Sequence, residues 1–212
     1  MQARTKAAGL VAAIAVLAGC GSPEFRFVAS PDHTVVFKVP RSWSTLDAKQ
    51  VSPGATSAAT VKWLAFYDGS VRPQVSNAKA ALPASPLLVA ESFALTKEEA
   101  AALDDDALRN IARPVTDAAQ AQDALERQAA GQQPLTIKVL LDQPIRAKHV
   151  AGVHLVFSAS TGGNLVLYNQ VSVVDRQAGR AHILVIKCSD ACYQSNQSQI
   201  EAVAQSFTVK HP

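Results

Sequence analysis

Three cysteines carry most of the chemistry open to this 212-residue chain: Cys20 near the start, and Cys188 and Cys192 near the end. A thiolate can be a nucleophile, a metal ligand or half of a disulfide, and its surroundings decide which. Cys188 and Cys192 flank Ser189-Asp190-Ala191, one residue too many for Cys-x-x-Cys, and no further thiols complete a four-ligand metal site. The histidines offer no better site. His149 and His154 are five apart around Ala151-Gly152, whereas two ligands want even spacing on a strand or three to four on a helix. His33 and His211 lie in polar termini, and His182 heads an apolar run as a packed or edge histidine.

Asp104-Asp105-Asp106 lacks the alternating oxygen ligands and the glycine of a calcium loop, and fits a solvated helix start instead. Gly162-Gly163 leads into a strand rather than a helix, so it reads as a hairpin turn and not a phosphate cradle. There is no Gly-x-Ser-x-Gly, His-Glu-x-x-His or dinucleotide fingerprint. No catalytic residue, metal or cofactor is therefore expected. The candidate ligand contacts are aromatic: Trp43, Trp63, Phe66 and Tyr67 form either part of the core or the wall of an apolar groove rimmed by residues 72–86.

Cys20 sits at the end of a leader. Arg4 and Lys6 precede an uncharged run from Ala7 to Gly19, the charge and hydropathy pattern of a signal peptide over residues 1–19. As a helix those thirteen residues rise about 20 Å, short of the ~30 Å hydrocarbon core, which argues against a permanent span. An ordinary cleaved signal needs no cysteine at the cut. Leu17-Ala18-Gly19-Cys20 resembles the lipobox of bacterial lipoproteins. The resemblance implies cleavage before Cys20, diacylglycerol on its thiol, further acylation such as palmitate, and a domain on the extracytoplasmic face of the cell membrane. Residues 20–24 are then a short tether, with Pro23 keeping it extended, and residues 25–212 form one domain. In that oxidising space Cys188 and Cys192 are expected to pair.

Composition agrees with a globular exported part. Hydrophobic residues make up 48% and charged residues 17% of the chain. The leader holds two of the 20 basic residues and none of the 17 acidic ones, so the remainder carries a net charge of only +1. No basic cluster follows the leader, which removes the electrostatic argument for nucleic acid.

The elements follow from hydrophobic period and turn chemistry. Phe25–Val28 and Val35–Val39 read as strands around the turn Ser30-Pro31-Asp32-His33. Residues 47–59 read as loop, Val61–Tyr67 as a strand, 72–86 as a mobile loop and Leu87–Leu95 as a strand. Thr96 with Glu99 is a capping box, Asp104–Asp106 restart the helix, and Thr116 caps another that Gly131 ends. That helix has only Leu125 as a large apolar residue, so it should be poorly buried. Ile137, Val139 and Leu141 give a strand with one buried face. Val153–Ser158, Leu165–Val174 and Ala181–Cys188 are three further strands joined by hairpins, the last apolar on both faces. A closing helix begins at the Ser198–Glu201 capping box and buries Ile200, Val203, Ala204 and Phe207.

This order predicts an α+β fold, a three-layer α/β/α sandwich about a mainly antiparallel sheet. Val36-Phe37-Lys38-Val39-Pro40-Arg41-Ser42-Trp43 and Ile200-Glu201-Ala202-Val203-Ala204-Gln205-Ser206-Phe207 resemble the two ends of the PsbP-like sandwich. The resemblance, which includes actinobacterial envelope lipoproteins, carries over no catalytic residue. It implies a non-enzymatic module, anchored through Cys20, that binds a protein or an envelope component. A lipid or small-molecule carrier is the alternative, and an envelope hydrolase a third reading.

Overall fold

The alternating runs assemble into one seven-stranded antiparallel sheet in the computed structural model, which describes residues 24–54 and 60–210. The leader, Cys20 and the tether up to Pro23 lie outside the described residues. In chain order the first half comprises β1 (Phe25–Ala29), β2 (Val35–Pro40), β3 (Ser44–Leu46), α1 (Ala48–Val51), β4 (Val61–Asp68), α2 (Val75–Ala78) and β5 (Leu87–Ala94). Three helices follow, α3 (Lys97–Ala102), α4 (Asp105–Arg109) and α5 (Asp117–Ala129). The meander is β6 (Thr136–Ala147), β7 (Val150–Thr161), β8 (Asn164–Asp175) and β9 (Arg180–Ser189), and α6 (Asp190–Gln205) and β10 (Thr208–Val209) close the chain.

The large sheet runs β3-β4-β5-β9-β8-β7-β6, and a second sheet runs β1-β2-β10. Alternation along β4, β5, β8 and β9 gives the large sheet two apolar faces, and each has its own core. One face is covered by α6 lying beside the small sheet. There Phe37 is the centre, with ring centroids 6.1 Å from Trp63, 6.4 Å from Tyr67 and 6.2 Å from Phe207. The other face is covered by α3 and α4, which set Ala100 and Leu108 on Val153, Leu155 and Phe157. The result is the expected α+β sandwich, with a three-stranded sheet sharing one helix layer. Among the described residues no helix is long and apolar enough to cross a membrane.

Polar contacts fix the second helix layer. Asp104 caps α4 by accepting from Ala107 N at 2.8 Å, and Gln170 of β8 donates to the Leu108 carbonyl at 2.8 Å. The next two carboxylates are not simply solvated. Asp106 and Asp142 of β6 both hold Arg109, and Asp105 pairs with Arg146 of β6. Thr116 occupies the α5 N-cap position without a capping bond, because its hydroxyl accepts from Asn110 Nδ2 instead. As expected, α5 buries none of its residues.

Two elements depart from the sequence expectation. A bulge in β6 leaves Leu140 unpaired between Val139↔Phe157 and Leu141↔Val156, which reverses the phase of the strand. Ile137 therefore packs towards the helices, while Leu141 and Ile145 pack towards the small sheet. The closing helix starts ten residues before the Ile200 that opens its expected apolar stripe, with Ser189 rather than Ser198 in front of it. Cys188 at the end of β9 and Cys192 in the first turn of α6 are joined by a disulfide with Cα atoms 5.7 Å apart. Strand and helix thus meet at a cross-linked corner.

Closing so short a loop stabilises by about 2 kcal/mol in the chain-entropy model. The double change Cys188→Ala/Cys192→Ala is accordingly expected to lower the thermal midpoint by roughly 4–8 °C for a domain of this size. Differential scanning calorimetry measures it, and the unfolded, unreduced wild-type protein should show no free thiol at these two positions.

Candidate functional groove

The two faces of the large sheet are unequally covered. Helices α3 and α4 lie over β7 and β8, and among the described residues neither of them extends over the same face of β4, β5 and β9. Phe66, Val89 and Val185 remain only half-buried there. Ala78 of α2 and the segment Ile111–Arg113 rise on either side, enclosing a groove of about 280 Å³.

Its polar groups sit at opposite ends. Glu91 of β5 faces the groove half-buried, and burial pushes its carboxyl above the ordinary value. Four residues back along β5, Leu87 pairs with Lys187 of β9, which puts Lys187 about 13 Å from Glu91. Burial pushes the Lys187 ammonium down, and the Arg113 charge adds to the effect. Lys187 Nζ donates to the Ala78 carbonyl at 3.4 Å. Arg113 is held in place: its Nε donates to the Tyr168 hydroxyl at 3.1 Å, and its guanidinium lies 5.5 Å from that ring's centroid. Tyr168 in turn stacks on Phe157, centroid to centroid 4.9 Å. The groove therefore has an apolar floor, an acidic end and a preorganised basic end.

The wall next to α2 is built on one carboxylate. Asp68 ends β4 fully buried and accepts from Ser70 N, Gln74 N, Asn77 Nδ2 and Ser85 Oγ at 2.7–3.2 Å. Burial alone would raise its pKa, but the hydrogen bonds from Asn77, Ser70 and Gln74 win and hold it low. Ser189 N also bonds the Pro83 carbonyl at 2.8 Å. The stretch 72–86, expected to be mobile, is instead tied to the sheet at both ends.

The four candidate aromatics do not form one wall. Trp43 is 2% exposed in the core beside the small sheet, Trp63 and Tyr67 pack against Phe37 in that same core, and Phe66 points to the opposite face. Phe66 and the edge of Tyr67 line the groove. Among the described residues no group of three or more His, Cys, Asp or Glu could hold a metal ion. His149 sits in the β6–β7 turn with φ of 69°, and His154 is hydrogen-bonded to Asn169 at 2.9 Å. Gly162 and Gly163, both at positive φ, form the two-residue turn between β7 and β8.

One pair has hydrolase-like spacing. Ser92 Oγ lies 2.8 Å from His182 Nδ1. Both residues are at most 2% exposed, so no substrate carbonyl can approach the hydroxyl. Burial first, and then the Arg180 charge, pushes His182 down to about 4 against the opposing charges of Asp175 and Asp32. The pair is a buried polar link between β5 and β9.

The fold is PsbP-like. The solution structure of the cyanobacterial PsbP protein of Synechocystis sp. PCC 6803 matches with a TM-score of 0.56 over 91% of this chain and 96% of that one, at 12% identity. LpqN of Mycobacterium tuberculosis, involved in cell envelope biogenesis, matches with a TM-score of 0.46 over 88% and 91% at 13% identity. The Ran-binding protein Mog1p of Saccharomyces cerevisiae gives 0.44 over 87% and 95% at 10%. At these identities the likeness is one of fold. No family model matches the sequence, and no curated protein does.

Because the pKa of His182 falls on folding, the unfolded chain binds more protons between pH 6.5 and about 4. The associated stability is complete above pH 6.5 and is lost as pH falls towards 4, on the order of 3 kcal/mol in all. Urea midpoints at pH 7 and pH 4.5 should differ accordingly, and His182→Gln should remove most of the difference. The Asp68 contribution lies in a separate window, lost only as pH falls below the ordinary carboxylate value of 3.8.

Proposed function

We propose that this chain is a lipid-anchored lipoprotein of the extracytoplasmic face of the cell membrane, acting without catalysis as a binding module for a protein or envelope component. Cys20, carrying diacylglycerol, is its membrane anchor. The observation that carries the binding reading is the groove over β4, β5 and β9, with its apolar floor and oppositely charged ends. The address rests on Leu17-Ala18-Gly19-Cys20 behind a charged and then apolar leader. The buried setting of Ser92 and His182 supports a non-catalytic role, because this nucleophile–base spacing among the described residues is closed to substrate.

A lipid or small-molecule carrier is favoured by one feature, the aromatic Phe66 in a groove of about 280 Å³. That is close to the ~300 Å³ at which ligand pockets begin. Against it stand the open mouth and the charged Glu91, Lys187 and Arg113, which suit a partner's chain segment better than an acyl tail.

Two measurements test the reading. Cys20→Ser is expected to move the protein from the detergent phase to the aqueous phase on Triton X-114 partitioning, and retention in detergent defeats the lipobox reading. The mature domain immobilised against envelope extract should retain a component that Val89→Lys, with an unchanged melting curve, retains about ten-fold less. Lipid seen by native mass spectrometry on the wild type and lost in that variant would select the carrier instead.

A further inference from the structure

Among the described residues, one side of the small sheet has nothing packed over it. Along β1, Arg26 and Val28 point to the core and Phe27 and Ala29 point away from it, while Phe25, half-buried, packs against the edge of that core. Phe27 is 81% exposed. Across the pair, Phe27 faces Lys38 of β2, whose ammonium lies 4.7 Å from the Phe25 ring centroid. Val36, opposite Ala29, and Thr208 of β10, opposite Val36, extend the same surface. Aromatic rings beside lysine are the side chains that settle at a membrane interface, the ring at headgroup depth and the ammonium at the phosphates.

Chain length supplies the second argument, and it rests on acylation of Cys20 as proposed above. Only residues 21–24 separate Cys20 from Phe25, so the anchor can be no more than about 17 Å away even when fully extended. Glu24 is the acidic group within that span. A domain held this closely must turn the side bearing β1 towards the bilayer. One aromatic and one lysine do not hold a free protein on a membrane. A short tether raises the local concentration to the millimolar range, where so weak a surface suffices to set orientation.

We infer that the outward face of the β1-β2-β10 sheet, centred on Phe27 and Lys38, rests on the bilayer surface. The groove lies on the opposite face of the large sheet and so opens away from that membrane. Its ligand then arrives from the aqueous or wall side, not by lifting out of the lipid beneath.

The test uses the acylated full chain reconstituted in vesicles of phosphatidylglycerol and phosphatidylethanolamine. The fluorophore NBD is attached at Ala29→Cys, which keeps Phe27, and separately at Phe27→Cys. Leu125→Cys on α5, at a residue 63% exposed in the helix layer, is the reference. Blue-shifted emission and several-fold stronger quenching by nitroxide lipids at 29 and 27 than at 125 is the expected result. Equal quenching at all three sites, with the protein still floating with the vesicles, overturns the orientation and leaves the anchor intact. Failure to float, with an unmodified mature terminus by mass spectrometry, overturns the anchor reading and this inference with it.

Discussion

A sheet that is apolar on both faces has to be covered twice, and this chain covers the second face only in part. Strands β8 and β9 carry apolar side chains above and below, with Leu184 and Ile186 on one side and Ile183 and Val185 on the other. The first face receives a sixteen-residue helix and three short strands. The second receives α3 and α4, of six and five residues, while α5 stands away with no buried residue. So little helix covers β7 and β8 and stops there. Half-buried sheet over β4, β5 and β9 is what remains, and the groove follows from that shortfall.

What keeps the shortfall from collapsing is polar. Asp68 holds the 69–86 segment as a wall, Arg113 is stacked on a Tyr168–Phe157 pair, and Gln170 together with the Arg109–Asp142 pair fixes where α4 ends. A buried carboxylate with four donors is stable only where all four are supplied, so the wall cannot shift without stranding Asp68. The wall beside the opening is thus held in place by the sandwich itself.

Much of the sandwich was legible because its signals are local. The hairpins of the meander, the helix starts at Thr96 and Asp104, and the exposed character of α5 all follow from turn chemistry and period. Failures came where a local pattern met a non-local constraint. Ser198–Glu201 has the form of a capping box, yet the helix already runs from Ser189, because Cys192 and Tyr193 bury against β8 and extend the apolar face upstream. Reading Cys192 only as half of a staple hid it as a core residue. In β6 the period-two pattern is real on either side of Leu140, but the bulge that joins the halves in opposite phase has no sequence signature of its own. Tethering of 72–86 by Asp68 was invisible, since Asp68-Gly69 also reads as an ordinary turn.

The aromatic cluster shows the opposite kind of miss, one the sequence could have prevented. Phe66 and Tyr67 are consecutive in a strand, and consecutive strand residues point to opposite faces, so their rings could not lie side by side on one face of the sheet. Applying that rule assigns Tyr67 with Trp63 and Trp43 to the first core and frees Phe66 for the second face. The same alternation places Phe27 outside and Val28 inside along β1. The exposed side of β1 and the groove side of β4 are therefore separated by parity, with the small sheet and the large sheet between them. On the proposed reading, in which residues 20–24 tether the domain through an acylated Cys20, those sides cannot exchange, and a partner meets the groove from beyond the membrane surface.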